Sequence, residues 1–362
     1  MRHENPNHVF IIAEAGVNHN GQKDLAFALV DAAAEAGADA VKFQTFDAEK
    51  LASKNVQKAA YQKQSTDAAE SQLAMLKRLE LPREWHLELQ SYAHKKGIEF
   101  LSTAFDIDSL SFLSGLGMPM FKVPSGELIN GPLLWQFART RKPLILSTGM
   151  ATMPEVEQGL AIVAHALNSD AEPVNIGEVW QDWSKVENKN SLRNQVTLLH
   201  CTSQYPTSFN EVNLRSMDTL ADAFGLDVGY SDHTEGILIS IAAVARGAKV
   251  IEKHFTLDST LPGPDHKASL EPHALREMVS NIRALQVALG DGNKIPQNSE
   301  LDTRQAARQQ LVAARDITKG VVLTKQDLTT ARCGRGLSPS TLWELIGQIS
   351  DRNYVAGDII EK

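Results

Sequence analysis

Residues 9–16 read VFIIAEAG and residues 25–37 read LAFALVDAAAEAG, so a short apolar run precedes a helical pattern that ends at a glycine. The first segment has the length and the apolar, β-branched content of a buried strand, whereas the apolar residues of the second recur at helical spacing. A glycine directly after a helical pattern is typical of a helix C-terminus. This stretch therefore predicts a strand followed by a helix.

The same unit recurs along the chain. Seven further apolar runs predict strands: AVKFQ (40–44), EFLSTAF (99–105), MFKVPSG (120–126), LILSTG (144–149), VTLLHCTS (196–203), DVGYSD (227–232) and KVIEKHFT (249–256). Helical patterns such as ISIAAVARG (239–247) lie between them. Strands that alternate with helices pair in parallel, and eight such units predict a (β/α)8 TIM barrel. A doubly wound sheet is the alternative, but no strand precedes a GxGxxG or P-loop motif.

The chain length of 362 residues allows one barrel of about 250 residues and a smaller domain. The sequence becomes polar and aperiodic after Gly290, which predicts a barrel over 1–290 and a linker over 291–310. Two β-like runs, each turned by a glycine, predict a small all-β domain over 311–362. Residues 172–195 are interpreted as an insertion before the sixth strand.

Composition excludes several classes of protein. The formal net charge is −8, and the chain has no basic run, which argues against nucleic acid or an anionic membrane as a partner. The two cysteines, Cys201 and Cys333, lie far apart and exclude a zinc ribbon, an iron–sulfur site or a disulfide scaffold. The first apolar run is too short for a signal sequence, and no run is long enough to span a membrane, so we expect a cytoplasmic protein.

Every predicted strand ends in polar residues or is directly followed by them, at the face of a TIM barrel where chemistry takes place. They are Glu14 with Asn18; Lys42 and Gln44; Ser102 and Thr103; Lys122, Ser125 and Glu127; Ser147 and Thr148; Ser203 and Tyr205; Ser231, Asp232 and His233; and Lys253 and His254. A single hydroxyl of this kind most often caps a turn. Lysines, hydroxyls and glycines together on one rim indicate a pocket for phosphate and carboxylate groups.

Lys42 and Lys122 each lie inside an otherwise apolar strand, where a charge is costly unless it is paired. A structural ion pair, a site for an anion and a Schiff-base lysine are three interpretations that the sequence leaves open.

His233 and His254 end neighbouring strands, and adjacent strands lie about 4.8 Å apart. Two neutral imidazoles with open coordination positions suit a divalent transition metal that polarises a carbonyl. Glu14 and Asp265 are the carboxylates best placed to complete such a shell.

Nine motifs resemble, in order, those of the bacterial sialic acid synthase family, which includes N-acetylneuraminate and legionaminic acid synthases. The motifs are AEAGVNHNG (13–21), VKFQTF (41–46), FLSTAFD (100–106), KVPSGE (122–127), ILSTGM (145–150), LLHCTSQYPT (198–207), VGYSDHT (228–234), VIEKHFTLD (250–258) and GPDHKASLEP (263–272). The resemblance covers essentially the whole chain, and the C-terminal segment is similar to the family's antifreeze-like (SAF) domain.

The resemblance implies a metal-dependent condensation of phosphoenolpyruvate with an open-chain N-acetylmannosamine-type sugar, which yields a nine-carbon 2-keto acid and phosphate. It implies that His233 and His254 bind the metal, which is usually Mn²⁺ (Mg²⁺ and Co²⁺ are the alternatives). The positions that match the phosphoenolpyruvate site are Lys42, Thr103, Lys122, Ser125, Ser147, Ser203 and Ser231. Those that match the surroundings of the sugar, the attacking water and the metal's outer shell are Glu14, Glu127, Tyr205 and Asp265. Glu127 is assigned to the attacking water.

The C-terminal domain departs from the family's pattern, since TARCGRG (330–336) stands where a Lys-Arg-Pro-Gly sequence is expected. The arginine is kept as Arg332, which the resemblance assigns to the N-acetyl group of the sugar in a domain-swapped homodimer. N-acetylmannosamine is the first choice of acceptor, and a 2,4-diacetamido-2,4,6-trideoxymannose is the alternative. The segments at 61–66 and 70–81 resemble both branches. A Schiff-base aldolase that uses Lys122 or Lys253 is a more remote alternative.

Overall fold

The computed structural model describes residues 8–53, 58 and 70–361, and its chain divides into two units between Gly290 and Asp291. The segment at 61–66 lies outside the described residues. Within the described residues, no helix is long and apolar enough to cross a membrane.

The N-terminal unit is a parallel barrel, which confirms the predicted fold. Its strands are β1 (Phe10–Gly16), β2 (Ala40–Thr45), β3 (Glu99–Ala104), β4 (Phe121–Val123), β5 (Leu144–Ser147), β6 (Val196–Cys201), β7 (Asp227–Asp232) and β8 (Val250–His254). Hydrogen-bonded neighbours follow the order β3-β2-β1-β8-β7-β6-β5-β4. Strands β3 and β4 also contact each other, which closes the barrel. Each strand lies within about three residues of its predicted position.

Helices surround the strands. They are α1 (Lys23–Ala36), α2 (Ala48–Leu51), α3 (Gln72–Leu79), α4 (Arg83–Lys95), α5 (Ile107–Gly115), α6 (Gly131–Arg139), α7 (Met153–Asn168), α8 (Ile176–Trp183), α9 (Val186–Asn190), α10 (Phe209–Val212), α11 (Ser216–Phe224), α12 (Leu238–Ala245) and α13 (Pro272–Leu289). Helix α1 ends as the sequence predicts, because Gly37 takes the left-handed conformation and its N–H closes the last turn. The buried apolar faces of the helices and the outward residues of the strands form the largest core.

Alternation along the strands determines what fills the barrel. Successive side chains point to opposite faces of a strand, so Phe10, Ile12 and Glu14 share the inner face of β1. The lower part of the barrel is apolar, and its buried residues are Phe10, Ile12, Ala40, Leu101, Met120, Ile145, Leu199 and Val250. One or two inward positions further along, the same strands carry charged and hydroxyl side chains. The barrel therefore has an apolar floor beneath a polar upper layer.

Gly229 shows how tightly the floor is packed. A Cβ at this position of β7 would lie 2.3 Å from the carbonyl oxygen of Val250 and 2.7 Å from Leu199. Because one of those atoms belongs to the backbone of the neighbouring strand, only glycine is accommodated without moving β8.

The insertion at 172–195 is mainly helical and packs on the flank of the barrel against α7. Asn175 caps α8 by accepting hydrogen bonds from the N–H groups of Gly177 and Glu178. Trp183 is buried, and its indole N–H donates to Glu157 of α7 at 2.8 Å. The two tryptophans of the insertion differ in burial, since Trp180 is partly exposed.

The C-terminal unit contains the antiparallel strands β9 (Gln309–Ala313) and β10 (Leu328–Arg332), with helix α15 (Leu342–Leu345) after them. Isolated bridges pair Ile317 with Tyr354 and Val322 with Ile349. Its small core is Leu311, Ala313, Ile317, Leu323, Leu328, Tyr354 and Ile360. The segment predicted as a linker over 291–310 is not wholly irregular, because helix α14 (Leu301–Ala307) forms within it and β9 begins at Gln309.

Candidate active site

A cavity of about 390 Å³ opens where the barrel strands end. It is lined by the predicted residues Glu14, Lys42, Thr103, Lys122, Ser125, Ser147, Ser203, Tyr205, Ser231, His233, His254 and Asp265. Met75, Leu76 and Leu79 of α3 form an apolar wall on one side. The structure thus brings together every predicted site residue except Glu127 and Arg332.

Two lysines and two carboxylates form a buried cluster at the base of the cavity. The Nζ atom of Lys42 lies 2.6 Å from Glu14 Oε2 and 3.4 Å from Glu252 Oε2. The Nζ atom of Lys122 lies 3.3 Å from Glu252 Oε1, and Ser231 donates to that same oxygen at 2.9 Å. Lys42 also donates to the hydroxyl of Thr103 at 3.0 Å. Glu252 therefore connects both lysines.

Burial and neighbouring charges shift the pKa values of Glu14 and Glu252 in opposite directions. Burial raises the pKa of Glu14, and the charge of Glu252 adds to this effect while Lys42 opposes it. Burial would also raise the pKa of Glu252, but Lys122, Lys42 and the Ser231 hydroxyl outweigh it and hold that pKa well below its usual range. Burial would lower the pKa of Lys42, but Glu14 and Glu252 raise it above the ordinary value. Glu252 is thus the ionised carboxylate, and Glu14 takes up a proton more readily.

The two histidines meet at one side of the same cavity, with ring centroids 5.5 Å apart. The Nδ1 atom of His233 lies 2.7 Å from the carbonyl oxygen of Thr202. Because a carbonyl only accepts, Nδ1 carries the proton and Nε2 keeps its lone pair. Burial lowers the pKa of His233 to about 4 and that of His254 well below its ordinary value. Both imidazoles are therefore neutral.

This pair has the chemistry of metal ligands. The buried Nδ1 of His254 makes no hydrogen bond with any described residue, and the nearest carboxylate oxygen, Oδ2 of Asp265, is 3.8 Å away. A neutral imidazole nitrogen with no donor is suited to a cation, and the carbonyl partner of His233 is the usual second contact of a ligating histidine. No cluster of three or more histidine, cysteine or acidic ligands occurs in the described parts of the chain. A metal held by these two residues would keep open positions.

Asp265 and Tyr205 border the histidines. Burial, with a smaller effect of the Glu14 charge, raises the pKa of Asp265 to about 7. The ring of Tyr205 lies 4.1 Å from that of His233 and 5.6 Å from that of His254, measured between centroids. These two residues therefore line the cavity directly beside the histidines.

Serine hydroxyl groups line another part of the cavity. The Oγ atom of Ser125 accepts from the N–H of Gly149 at 3.0 Å and lies 3.2 Å from Cys201 Sγ. A Cβ at Gly149 would lie 2.4 Å from the Oγ atom of Ser203, so this glycine lets the loop approach the hydroxyls. The buried Oγ of Ser147 has no hydrogen-bond partner among the described residues.

Glu127 is not brought into the cavity. It lies in a 3-10 turn, Ser125–Glu127, and accepts a hydrogen bond from Asn130 at 2.7 Å, whereas Ser125 and Gly126 of the same turn line the cavity. The turn directs successive side chains to different sides, so its assignment to the attacking water finds no support in this geometry. Arg332 is the last residue of β10 in the C-terminal unit, where it is exposed.

Lys253 also lies outside the cavity. It is fully buried and pairs with Asp232 at 3.1 Å, on the opposite face of β8 from His254. A Schiff-base lysine must reach the substrate, so the aldolase alternative loses this candidate.

Glu252 and Cys201 line the cavity but were missed in the sequence analysis. Glu252 precedes His254 by two positions, and residues two apart in a strand share a face. Alternation was therefore the signal that could have found it. Cys201 precedes Ser203 by two positions at the end of β6, although β6 itself ends at Cys201.

Comparison with known proteins assigns the fold to a family. Residues 29–294 match the NeuB family, and residues 308–362 match the SAF domain. The chain belongs to the NeuB family. The sequence resemblance and the predicted C-terminal SAF domain are thereby confirmed.

Relatives within the NeuB family match the chain over almost its entire length. It is 47% identical to the N,N'-diacetyllegionaminic acid synthase of Campylobacter jejuni, over 97% of this chain and 98% of that protein. It is also 47% identical to the N,N'-diacetyllegionaminic acid synthase of Legionella pneumophila, over 96% and 92%. The crystal structure of a sialic acid synthetase from Leptospira borgpetersenii in complex with citrate is 33% identical, with a TM-score of 0.67, over 83% of this chain and 92% of that one. As a member of this family, the chain is an enzyme, a phosphoenolpyruvate-dependent transferase that forms a carbon–carbon bond.

Proposed function

We propose that the protein is an N,N'-diacetyllegionaminic acid synthase, which condenses phosphoenolpyruvate with a 2,4-diacetamido-2,4,6-trideoxymannose and releases phosphate. The choice of acceptor sugar is supported by the 47% identity to two synthases of that name, compared with 33% identity to the sialic acid synthetase. N-acetylmannosamine, the first choice of the sequence analysis, becomes the second choice, and the alternative acceptor takes its place.

The base of the cavity supports phosphoenolpyruvate as the anionic substrate. Lys42 and Lys122 are buried and both contact Glu252, and hydroxyls from five strand ends line the same cavity. In a site with little water, charged donors bind phosphate and carboxylate oxygens strongly. Glu252 pairs with both lysines, since its carboxylate oxygens lie within 3.4 Å of each Nζ atom.

His233 and His254 would hold the divalent metal, for which Mn²⁺ is the first choice. Such an ion would supply Lewis acidity toward the aldehyde of the acceptor, which would make that carbonyl a better electrophile for carbon 3 of phosphoenolpyruvate. Residues of the chain itself bind phosphoenolpyruvate and stabilise the charge that develops on it. The lysines hold the phosphate and carboxylate, and the neighbouring carboxylates stabilise positive charge at carbon 2. Water adds to carbon 2, and phosphate departs through carbon–oxygen cleavage.

Two carboxyl groups of the cavity, those of Glu14 and Asp265, have raised pKa values, and Glu14 is the one in contact with the lysine cluster. Its carboxyl lies in the cavity beside Lys42, and its pKa is raised by burial and by Glu252. A raised pKa favours the protonated form of a carboxyl, so Glu14 holds a proton more readily than the ionised Glu252 does. We therefore assign to Glu14 the proton role that the sequence analysis gave to Glu127.

Phosphate release with each sugar tests the acceptor. We expect kcat/KM for the 2,4-diacetamido sugar to exceed that for N-acetylmannosamine by about 10- to 100-fold, because a site built to bind a second acetamido group rejects a sugar without it. Reactions without phosphoenolpyruvate are the control. Equal or better use of N-acetylmannosamine would return the assignment to N-acetylneuraminate synthase, and trapping of substrate by borohydride would indicate an aldolase.

We further propose a homodimer in which Arg332 of one subunit serves the cavity of the other. The supporting observations are the SAF match, the exposed position of Arg332 at the end of β10, and the family resemblance. A guanidinium donates well to an acetamido carbonyl.

Mixing inactive subunits tests this arrangement. Arg332→Ala and His233→Ala are each expected to be inactive alone, and a 1:1 mixture should recover about a quarter of native activity. The fraction follows because about half of freely exchanged dimers are mixed and each mixed dimer has one intact site of two. No recovery after proven subunit exchange would show that Arg332 does not act in trans.

A further inference from the structure

Asp232 and Lys253 are charged residues of the two histidine-bearing strands that the proposed reaction does not use. Neither lines the cavity, and both are 0% exposed. They are register partners in the β7–β8 ladder, and their side chains are 3.1 Å apart. Because Ser231 and His233 face the cavity, as do Glu252 and His254, the pair occupies the outer face of the same two strand ends.

The polar side-chain atoms of Asp232 and Lys253 form hydrogen bonds with residues of one short segment, 234–240. Oδ1 of Asp232 accepts from the N–H and the hydroxyl of Thr234, at 2.9 and 2.8 Å. Its Oδ2 accepts from the hydroxyl of Ser240, in the first turn of α12, at 2.6 Å. Lys253 donates to the carbonyl oxygen of Thr234 at 2.6 Å. Residue 233 is therefore held between two residues that the pair fixes.

The same contacts reach the second histidine. Lys253 lies between Glu252 and His254 in β8, so its position sets the direction of both neighbours. On the other side, the carbonyl oxygen of His233 accepts from the N–H of Thr207, and the backbones of Thr207 and Thr234 form a bridge. The backbone on each side of His233 thus has fixed partners.

Stability alone does not account for such a pair. Removing two charges from water is unfavourable, and apolar residues of similar volume are often neutral or better for stability. A pair that fixes backbone on both sides of a ligand gives geometric precision instead, as contacts beyond the immediate ligands of a metal do.

We propose that Asp232 and Lys253 are positioning residues which hold His233 and His254 at the separation that a divalent metal requires. The inference rests on the metal site assigned under the proposed function. It concerns residues that touch neither substrate nor metal, and it predicts that metal affinity depends on a salt bridge on the outer side of the barrel wall.

Mn²⁺ binding to the full chain, measured by electron paramagnetic resonance of the free ion, tests the proposal without an activity assay. Lys253→Met keeps the length of the side chain and removes its charge, and we expect Mn²⁺ affinity to fall by about 10- to 100-fold. Asp232→Asn should act in the same direction. The double variant should be no weaker than the worse single one, since partners that act as a unit are not additive.

Arg283→Met is the matched control. Arg283 pairs with Asp39 at 2.7 Å and donates to the carbonyl oxygen of Val9, at the opposite end of the barrel where β1 and β2 begin. Its loss should lower the melting temperature and leave Mn²⁺ affinity within about twofold of the native value. A fall as large as that of Lys253→Met would show that affinity follows stability, which overturns the positioning role.

Ser240→Ala is the milder variant if Lys253→Met does not fold. It removes one hydrogen bond onto Asp232 and leaves both charges, and we expect Mn²⁺ affinity to fall by about 2- to 10-fold. Unchanged Mn²⁺ affinity in this variant, or in folded Lys253→Met, overturns the inference. Native protein whose Mn²⁺ binding is the same as that of His233→Ala would instead overturn the metal site, and the positioning role with it.

Discussion

Replacing His233 with alanine is expected to abolish phosphate release, by more than about a thousandfold, while the barrel stays folded. The imidazole is one of the two histidine side chains that line the cavity, so its loss removes half of the proposed imidazole ligands. A metal that stabilises charge in the transition state contributes several kcal/mol, and each 1.36 kcal/mol is a factor of about ten in rate. Because His233 lies at the end of a strand, the change removes little apolar core.

The measurement is phosphate release from phosphoenolpyruvate and the acceptor, with melting temperature followed in parallel. His200→Gln is the matched control, since His200 lies on the outer face of β6, where its Nε2 donates to the carbonyl oxygen of Val212, and it does not line the cavity. That variant should retain activity within about threefold. Full activity of His233→Ala after exhaustive chelation would contradict the proposed metal.

The barrel was predictable because its pattern repeats. Eight apolar runs with helical segments between them leave few other architectures, and a residue that follows a strand lies on one known face of a TIM barrel. The twelve cavity residues could be found from this rule together with the family resemblance. Neither needs any knowledge of side-chain contacts.

Glu127 and Glu252 show where that reasoning ends. Glu127 was assigned through the match of KVPSGE (122–127) to the family motif, but a 3-10 turn separates the directions of the Ser125 and Glu127 side chains. Turn geometry of this kind is decided by hydrogen bonds that the sequence does not display. Glu252 lies in the middle of β8 rather than at its end, so a rule based on strand ends does not select it. It is two positions from His254, however, and therefore shares the inner face of the strand.

The sequence of the insertion at 172–195 contains features that predict a helix. Asn175 is a favoured cap residue, and Val179 and Trp183 are four residues apart, as on one face of a helix. Its packing against α7 was not predictable, because it depends on the contact between Trp183 and Glu157, which are distant in sequence.

Lys122→Met is expected to raise the KM for phosphoenolpyruvate by about 10- to 100-fold and to change the KM for the sugar little. Each charge-assisted hydrogen bond to an anion is worth about 1.5–3 kcal/mol, which corresponds to about one to two decades in affinity. The structure makes Lys122 a cleaner test than Lys42. Without Lys122, Glu252 keeps Lys42 and Ser231 as partners, whereas loss of Lys42 would leave Glu14 buried without its cation.

Steady-state kinetics with each substrate varied in turn measure the two constants separately. Lys142→Met is the control for net charge, since Lys142 is exposed just before β5, at the opposite end of the barrel from the cavity. Equal increases in both Michaelis constants would mean that Lys122 supports the cavity as a whole rather than the anion. The separation of the two constants is therefore the decisive result, because only a residue that binds phosphoenolpyruvate directly distinguishes the anion from the neutral sugar.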